Sequence, residues 1–252
     1  MKAKRSLGQN FIHDENFLIK LNKLIKSNSE TNIIEIGPGK GALTKYLVAK
    51  KHKKIILIEK DYDLIKYLNC YKNKNISIIN TDALKLNLLE LNISKNALIV
   101  GNLPFNISSQ LLVKWVKFDN WPPFYEKMYL MFQKELGERI IAKKNSKSYG
   151  RISVLSQVRF NIKKLLIAPS GIFRPRPKVN GIVLEFSPTS KYKKVNINKL
   201  ETILRKAFLH RRKKIKSSLK EYQNILEQNN YNLDLRAENL SLDDYCKLSK
   251  LI

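Results

Sequence analysis

The sequence predicts an α/β fold, a doubly wound parallel sheet followed by a small helical domain. Three observations lead there. Short β-branched apolar runs alternate with amphipathic segments through the first half of the chain. A glycine-rich turn, Gly37, Gly39 and Gly41, follows the first of those runs. From Lys191 onward only helical patterns remain.

The elements follow in order. The chain opens on a basic arm, residues 1–13, and Asp14 is placed to cap a helix whose apolar face is Phe17, Leu18, Leu21, Leu24 and Ile25. The runs Asn32–Ile36, Ile55–Glu59, Ile76–Ile79, Ala97–Val100 and Tyr125–Phe132 are bounded by Gly, Asn or charge. Strands covered on both faces of a parallel sheet read this way. Between them, Gly41–Lys50, Asp61–Tyr71 and Ser108–Lys117 carry helical periodicity. Further on, Arg151–Val158 reads as a helix, Phe160–Ile167 and Gly181–Phe186 as strands, and Pro169–Pro177 as a rigid extended loop. Helices are expected over Ile197–Leu209, Ile215–Leu226 and Leu242–Leu251. The change of style between Ser187 and Lys194 divides the chain into 1–187 and 188–252.

Charge bounds the partners. The chain of 252 residues holds 48 Lys and Arg against 21 Asp and Glu, a net charge of +27. That excess suits a polyanion (RNA, DNA or an anionic membrane), although part of it reflects a lysine-rich composition. It is densest between Lys191 and Lys220, where twelve basic residues face one acid, Glu201. The two cysteines form no CxxC pair and the three histidines show no ligand spacing, so neither a disulfide framework nor a metal site is expected. No apolar run reaches the roughly 18 residues of a membrane span, and the basic N-terminus lacks the apolar stretch of a signal peptide. The expectation is a soluble, cytoplasmic protein.

The segment Ile33–Ala42 reads as a strand running into a tight glycine turn and a helix. Such a turn lets backbone approach a ligand and offers free N–H groups. Glu59 ends the next strand about 20 residues on, where an acid can accept from both ribose hydroxyls. These features imply a nucleoside cofactor and by themselves do not separate NAD from S-adenosyl-L-methionine. Glu35 tilts the choice. An acid just before the loop repels a pyrophosphate and attracts an amino-acid ammonium. Asp82, with Ala83, follows the third strand, and its carboxylate can accept from an adenine amino group or simply cap a helix.

Asn102, Leu103, Pro104 and Phe105 follow the fourth strand. The adenine N6 lone pair is delocalised into the ring and is a poor nucleophile. A side-chain carbonyl at Asn102 and a backbone carbonyl at Leu103 can accept both N6 hydrogens and aim that lone pair. Pro104 stiffens the turn, and Phe105 offers a ring for a base to stack on. The departing proton becomes acidic after transfer, so no general base is strictly required.

Taken together, Gln9–Ile12, Glu35–Gly39, Glu59, Asp82–Ala83 and Asn102–Phe105 resemble the ribosomal RNA adenine dimethyltransferases, most closely their KsgA type. Gln133–Glu135, Tyr149–Val154, Phe173–Val179, Arg211–Lys213 and Arg236–Asn239 extend the likeness over nearly the whole chain. The resemblance implies a Rossmann-like methyltransferase domain with a small helical C-terminal domain. It also implies N6-dimethylation of two adjacent adenosines near the 3′ end of small-subunit (16S) rRNA, in a pre-30S particle, by a monomer. Asn10, Ile12, Glu35, Gly37, Gly39, Glu59, Asp82, Ala83 and Asn102 would hold the cofactor. Phe173 would be a second stacking ring. Phe105 stands where many relatives have Tyr. Arg174, Arg176 and Lys178 of the proline loop, with Arg205, Arg211, Arg212, Lys213 and Lys214 of the tail, are expected to hold RNA phosphates. A large-subunit rRNA methylase of the antibiotic-resistance type, or an assembly or transcription factor in which methylation is secondary, is the alternative.

Overall fold

The computed structural model describes Lys4, residues 7–93 and residues 96–252; the rest of the basic arm lies outside them. By contacts the chain forms two compact units.

The first unit comprises residues 1–111, 123–137 and 162–187. In chain order, β1 (Phe11–Ile12) leads to α1 (Glu15–Leu24), which Asp14 caps by accepting from the Phe17 N–H. Then follow β2 (Asn32–Ile36), α2 (Thr44–Ala49), β3 (Lys54–Glu59), α3 (Tyr62–Leu68), β4 (Ile76–Asn80), β5 (Ala97–Asn102), α4 (Ser108–Val116), β6 (Tyr125–Gln133) and α5 (Lys134–Ile140). After α6 (Arg151–Arg159) come β7 (Phe160–Ala168), β8 (Phe173–Arg174) and β9 (Gly181–Pro188).

Seven strands form one sheet in the order β4-β3-β2-β5-β6-β9-β7. The five strands β2 to β6 pair in parallel, and β9 joins β6 antiparallel. Every residue of β2 is buried, as expected of a strand covered on both faces. On one face Ile33, Leu57, Leu98 and Val100 pack with Phe17, Leu18 and Leu21 of α1 and Leu47 of α2. The doubly wound sheet expected from the sequence is present, with its reversal point beside β2 and β5.

Three local differences have physical causes. The glycine turn does not run directly into a helix, because residues 39–43 form turns and α2 begins only at Thr44. Part of the basic arm is a strand: Phe11 and Ile12 pair with Arg174 and Phe173, a contact distant in sequence that no local pattern announces. The proline loop is likewise not wholly extended, since Ser170–Ile172 form a single 3-10 turn before β8.

The second unit comprises residues 112–122, 138–161 and 188–252. This differs from the division at residue 187 expected from composition. The added helix α6 buries Val154, Leu155 and Val158 and packs against α7 (Ile197–Leu209). It therefore belongs spatially to the helical unit. There α8 (Ile215–Ser218), α9 (Gln223–Gln228) and α10 (Leu242–Leu251) complete the chain. The single helix expected over 215–226 is broken at Leu219 and resumes through a 3-10 turn at Lys220–Tyr222. Leu219 is fully buried at the break. Asn196 caps α7, and Ser241 and Asp244 form a reciprocal capping box on α10. The Tyr149 ring meets Phe208 edge-on, and Phe208 packs tilted against the buried Tyr245 ring.

Candidate active site

The carboxyl ends of β2, β3 and β5 open on a cavity of about 690 Å³ in the first unit. Ligands of open α/β sheets bind at such strand ends. Every residue singled out for the cofactor reaches this cavity: Asn10, Ile12, Glu35, Gly37, Gly39, Glu59, Asp82, Ala83 and Asn102 all line it.

The glycine loop forms its floor. Gly37 and Gly39 have φ of +67° and +62°, the left-handed region that favours glycine. A Cβ on Gly39 would stand 3.0 Å from the Phe11 ring, so the arm and the loop lie in close contact. Glu59 ties the loop to the sheet: its Oε2 accepts the Gly39 N–H at 3.0 Å and its Oε1 accepts the Asp61 N–H at 2.8 Å. Burial pushes this carboxyl up, and those hydrogen bonds oppose the shift.

Glu35 is 2% exposed, and its Oε2 accepts from the Thr44 hydroxyl at 2.7 Å. Burial raises its pKa to about 7; Thr44 lowers it and the nearby Glu59 charge adds to the rise. No cation among the described residues pairs with this buried carboxyl, so a ligand cation could take that place. Asp82 differs. Its Oδ1 caps the following turn by accepting the Leu84 N–H, and its Oδ2 pairs with Lys60 at 2.9 Å. The Lys60 ammonium holds it below the usual carboxylate range. The capping and cavity readings of Asp82 thus coexist.

At the end of β5, the Asn102 Nδ2 donates to the Asn10 carbonyl at 3.0 Å. That commitment leaves Oδ1 as the acceptor for a ligand. Leu103, Pro104 and Phe105 also line the cavity. The Pro104 carbonyl accepts from Ile107 and Ser108 N–H groups, which fixes the turn into α4.

Phe173 takes a different place from the one the resemblance implies. It is 1% exposed and is not part of the cavity wall. Its pairing with Ile12 directs it into the core, where it meets Phe105 edge-on at 6.4 Å. At that exposure its ring offers no open face to a base.

The basic residues divide as well. Arg174 lines the cavity; Arg176 and Lys178 are exposed, and Arg176 Nε donates to Ser170 Oγ. In the second unit Arg211 is built into the fold, donating to Glu238 at 2.7 Å and to the Ser146 carbonyl at 3.1 Å. Lys214 pairs with Asp234 at 3.0 Å. Arg205, Arg212 and Lys213 are exposed and form no ion pair among the described residues. Sequence reasoning gave no role to Thr44, Lys60 or Asp61. Asp61 heads a helical pattern, which was a signal for a cap but not for its contacts with the arm.

Among the described residues, no group of three or more His, Cys, Asp or Glu could hold a metal ion, and no helix is long and apolar enough to cross a membrane. The sequence profile of the family described as "Ribosomal RNA adenine dimethylase" matches residues 1–252. The chain is 41% identical to "Ribosomal RNA small subunit methyltransferase A" of Pelagibacter ubique, over 99% of this chain and 97% of that one. It is 40% identical to the protein of the same name from a Wolbachia of Drosophila simulans, over 99% and 93%. Among solved structures, a dimethyladenosine transferase from Plasmodium falciparum superposes with a TM-score of 0.79 at 24% identity, covering 94% and 95% of the two chains. The 23S rRNA methyltransferase ErmE gives 0.66 at 18% identity, covering 96% and 99%. Both structural matches bear on the fold.

Proposed function

Because the chain belongs to the ribosomal RNA adenine dimethylase family, we propose that it dimethylates N6 of two adjacent adenosines near the 3′ end of small-subunit rRNA, in the cytoplasm, as a monomer acting on a pre-30S particle. The observation that carries the reading is Asn102 at the end of β5, with its nitrogen committed to Asn10 and its oxygen left as an acceptor. The relatives bearing the small-subunit name favour that target over the large subunit.

The cofactor fits the cavity by the chemistry of its donors and acceptors. Glu35 would take the ammonium of the methionine end, Glu59 the ribose hydroxyls and Asp82 the adenine amino group. When bound, S-adenosyl-L-methionine supplies an electrophilic methyl on a positive sulfur. Asn102 Oδ1 and the Leu103 carbonyl accept the N6 hydrogens and turn the nitrogen lone pair toward that methyl. Phe105 would hold the base by stacking, with its ring braced by the edge-on contact with Phe173. The base must leave its helix to arrive there.

Glu59→Ala should weaken S-adenosylmethionine binding about ten- to a hundredfold, the size expected for lost hydrogen bonds to a charged acceptor. Calorimetry with S-adenosylmethionine and with NAD checks this; binding of NAD alone would sink the methyltransferase reading.

For RNA, the free side chains Arg205, Arg212 and Lys213 are the phosphate contacts of the second unit, and Arg174, Arg176 and Lys178 those of the first. Reversing Arg212 and Lys213 to Glu should flatten the salt dependence of subunit binding by about 0.7–0.9 in log–log slope per lost contact. Arg211→Glu, by contrast, should destabilise the helical unit by breaking its contacts with Glu238 and Ser146. Equal slopes for wild type and the double reversal, across a salt titration, would place the RNA path elsewhere.

A further inference from the structure

The Asp61 side chain is 1% exposed next to the cavity-lining Lys60, and no step of the proposed chemistry uses it. Capping α3 needs a single acceptor oxygen, and Oδ1 serves by accepting the Asp63 N–H at 3.2 Å. Both oxygens do more. Lys4 Nζ reaches Oδ1 at 2.6 Å and Gln9 Nε2 donates to Oδ2 at 2.7 Å. The Lys4 N–H in turn donates to Gln9 Oε1 at 2.8 Å. Burial alone would raise the Asp61 carboxyl, yet these hydrogen bonds hold it below the usual range.

The same arm is fastened at its other end to the turn that carries Asn102. Gly8 lies at φ +63°, and a Cβ there would stand 2.7 Å from the Asn106 Oδ1. Asn10 Nδ2 donates to the Gly8 carbonyl at 3.2 Å, and the Asn10 carbonyl receives the Asn102 amide. The backbone between Gln9 and Asn10 therefore joins Asp61 to Asn102 across the cavity mouth. Asp61 itself follows Glu59 by two residues and donates its N–H to it.

We propose that Asp61 is a positioning residue for methyl transfer: it pins the arm through Lys4 and Gln9 so that the Asn10 carbonyl orients the Asn102 carboxamide. Cofactor binding under the arm and acceptor geometry at Asn102 are thereby coupled. The proposal rests on the role given to Asn102 above.

Asp61→Asn tests it. Asparagine caps α3 as well as aspartate does, so the fold is kept, but the new amide sets a donor against Gln9 Nε2 or Lys4 Nζ. With unmodified small subunits and saturating S-adenosylmethionine, kcat should fall about tenfold, the size of a lost charge-assisted hydrogen bond. Tryptic cleavage after Lys4, followed in the presence of S-adenosylhomocysteine, should accelerate by a similar factor. Adding Gln9→Glu to Asp61→Asn sets an acceptor opposite the amide and should restore much of both, a coupling a merely structural role would not show. Unchanged kcat and cleavage, a change confined to KM for S-adenosylmethionine, or no rescue by the second substitution would each overturn the proposal. If the wild type methylates no rRNA, the functional reading fails, whereas the cleavage rates and their rescue still decide the fate of the arm.

Discussion

Asn102→Ala is expected to lower the methylation rate at saturating cofactor by about 10²–10³-fold, the range seen when one preorganised polar group at a reacting centre is removed. The Asn102 carboxamide is held in place before any substrate arrives. Its nitrogen is held by the Asn10 carbonyl, so its oxygen needs no reorganisation as the N6 geometry changes. An interaction that strengthens only toward the transition state raises kcat and contributes little to ground-state binding. Cofactor affinity should therefore fall by no more than about tenfold, the share of the lost contact with the arm. Single-turnover rates beside calorimetry separate the two. Near-normal turnover would mean that the target nitrogen sits elsewhere.

Glu35→Gln should have two large and opposite effects. In the free protein Glu35 has its pKa raised by burial from 4.5 to about 7. Between those values the folded chain holds a proton that the unfolded chain has released, so stability falls as pH rises through that window. The penalty is complete above pH 7 and amounts to about 3 kcal/mol, since each pH unit of that window contributes roughly 1.36 kcal/mol. Glutamine cannot ionise and keeps the Thr44 contact, so the variant should be more stable than the wild type at pH 8 and equal to it below pH 4.5. Thermal melts on either side of the window check the sign. The same substitution removes the charge that faces the cofactor ammonium and should cost about ten- to a hundredfold in S-adenosylmethionine affinity. A variant that neither gains stability in mild alkali nor loses affinity would show Glu35 to be an ordinary core residue.

The features legible in the sequence were those with local signatures. The parallel strands were legible because each is a short apolar run ended by Gly, Asn or charge. The cavity residues at Gly37, Glu59, Asp82 and Asn102 were legible because each stands where a strand ends, and strand ends of a parallel sheet converge. What stayed hidden depends on contacts far apart in the chain. The pairing of Phe11–Ile12 with Phe173–Arg174 turns a basic arm into part of the site and sends Phe173 into the core. Charge counting likewise could not separate Arg211, whose partners are Glu238 and Ser146, from the free neighbours Arg212 and Lys213. The boundary was misplaced in space for the same reason: α6 is buried on several sides although it carries Ser153, Ser156 and Arg159 among its buried residues, and its partner α7 lies some way along the chain.

The central claim is tested most directly by incubating the protein with labelled S-adenosylmethionine and, separately, unmodified small subunits, large subunits and DNA, then mapping the label. The account predicts label on N6 of two adjacent adenosines near the 3′ end of small-subunit rRNA, and none elsewhere. Label in large-subunit rRNA or DNA, or no transfer to any of the three, would contradict it.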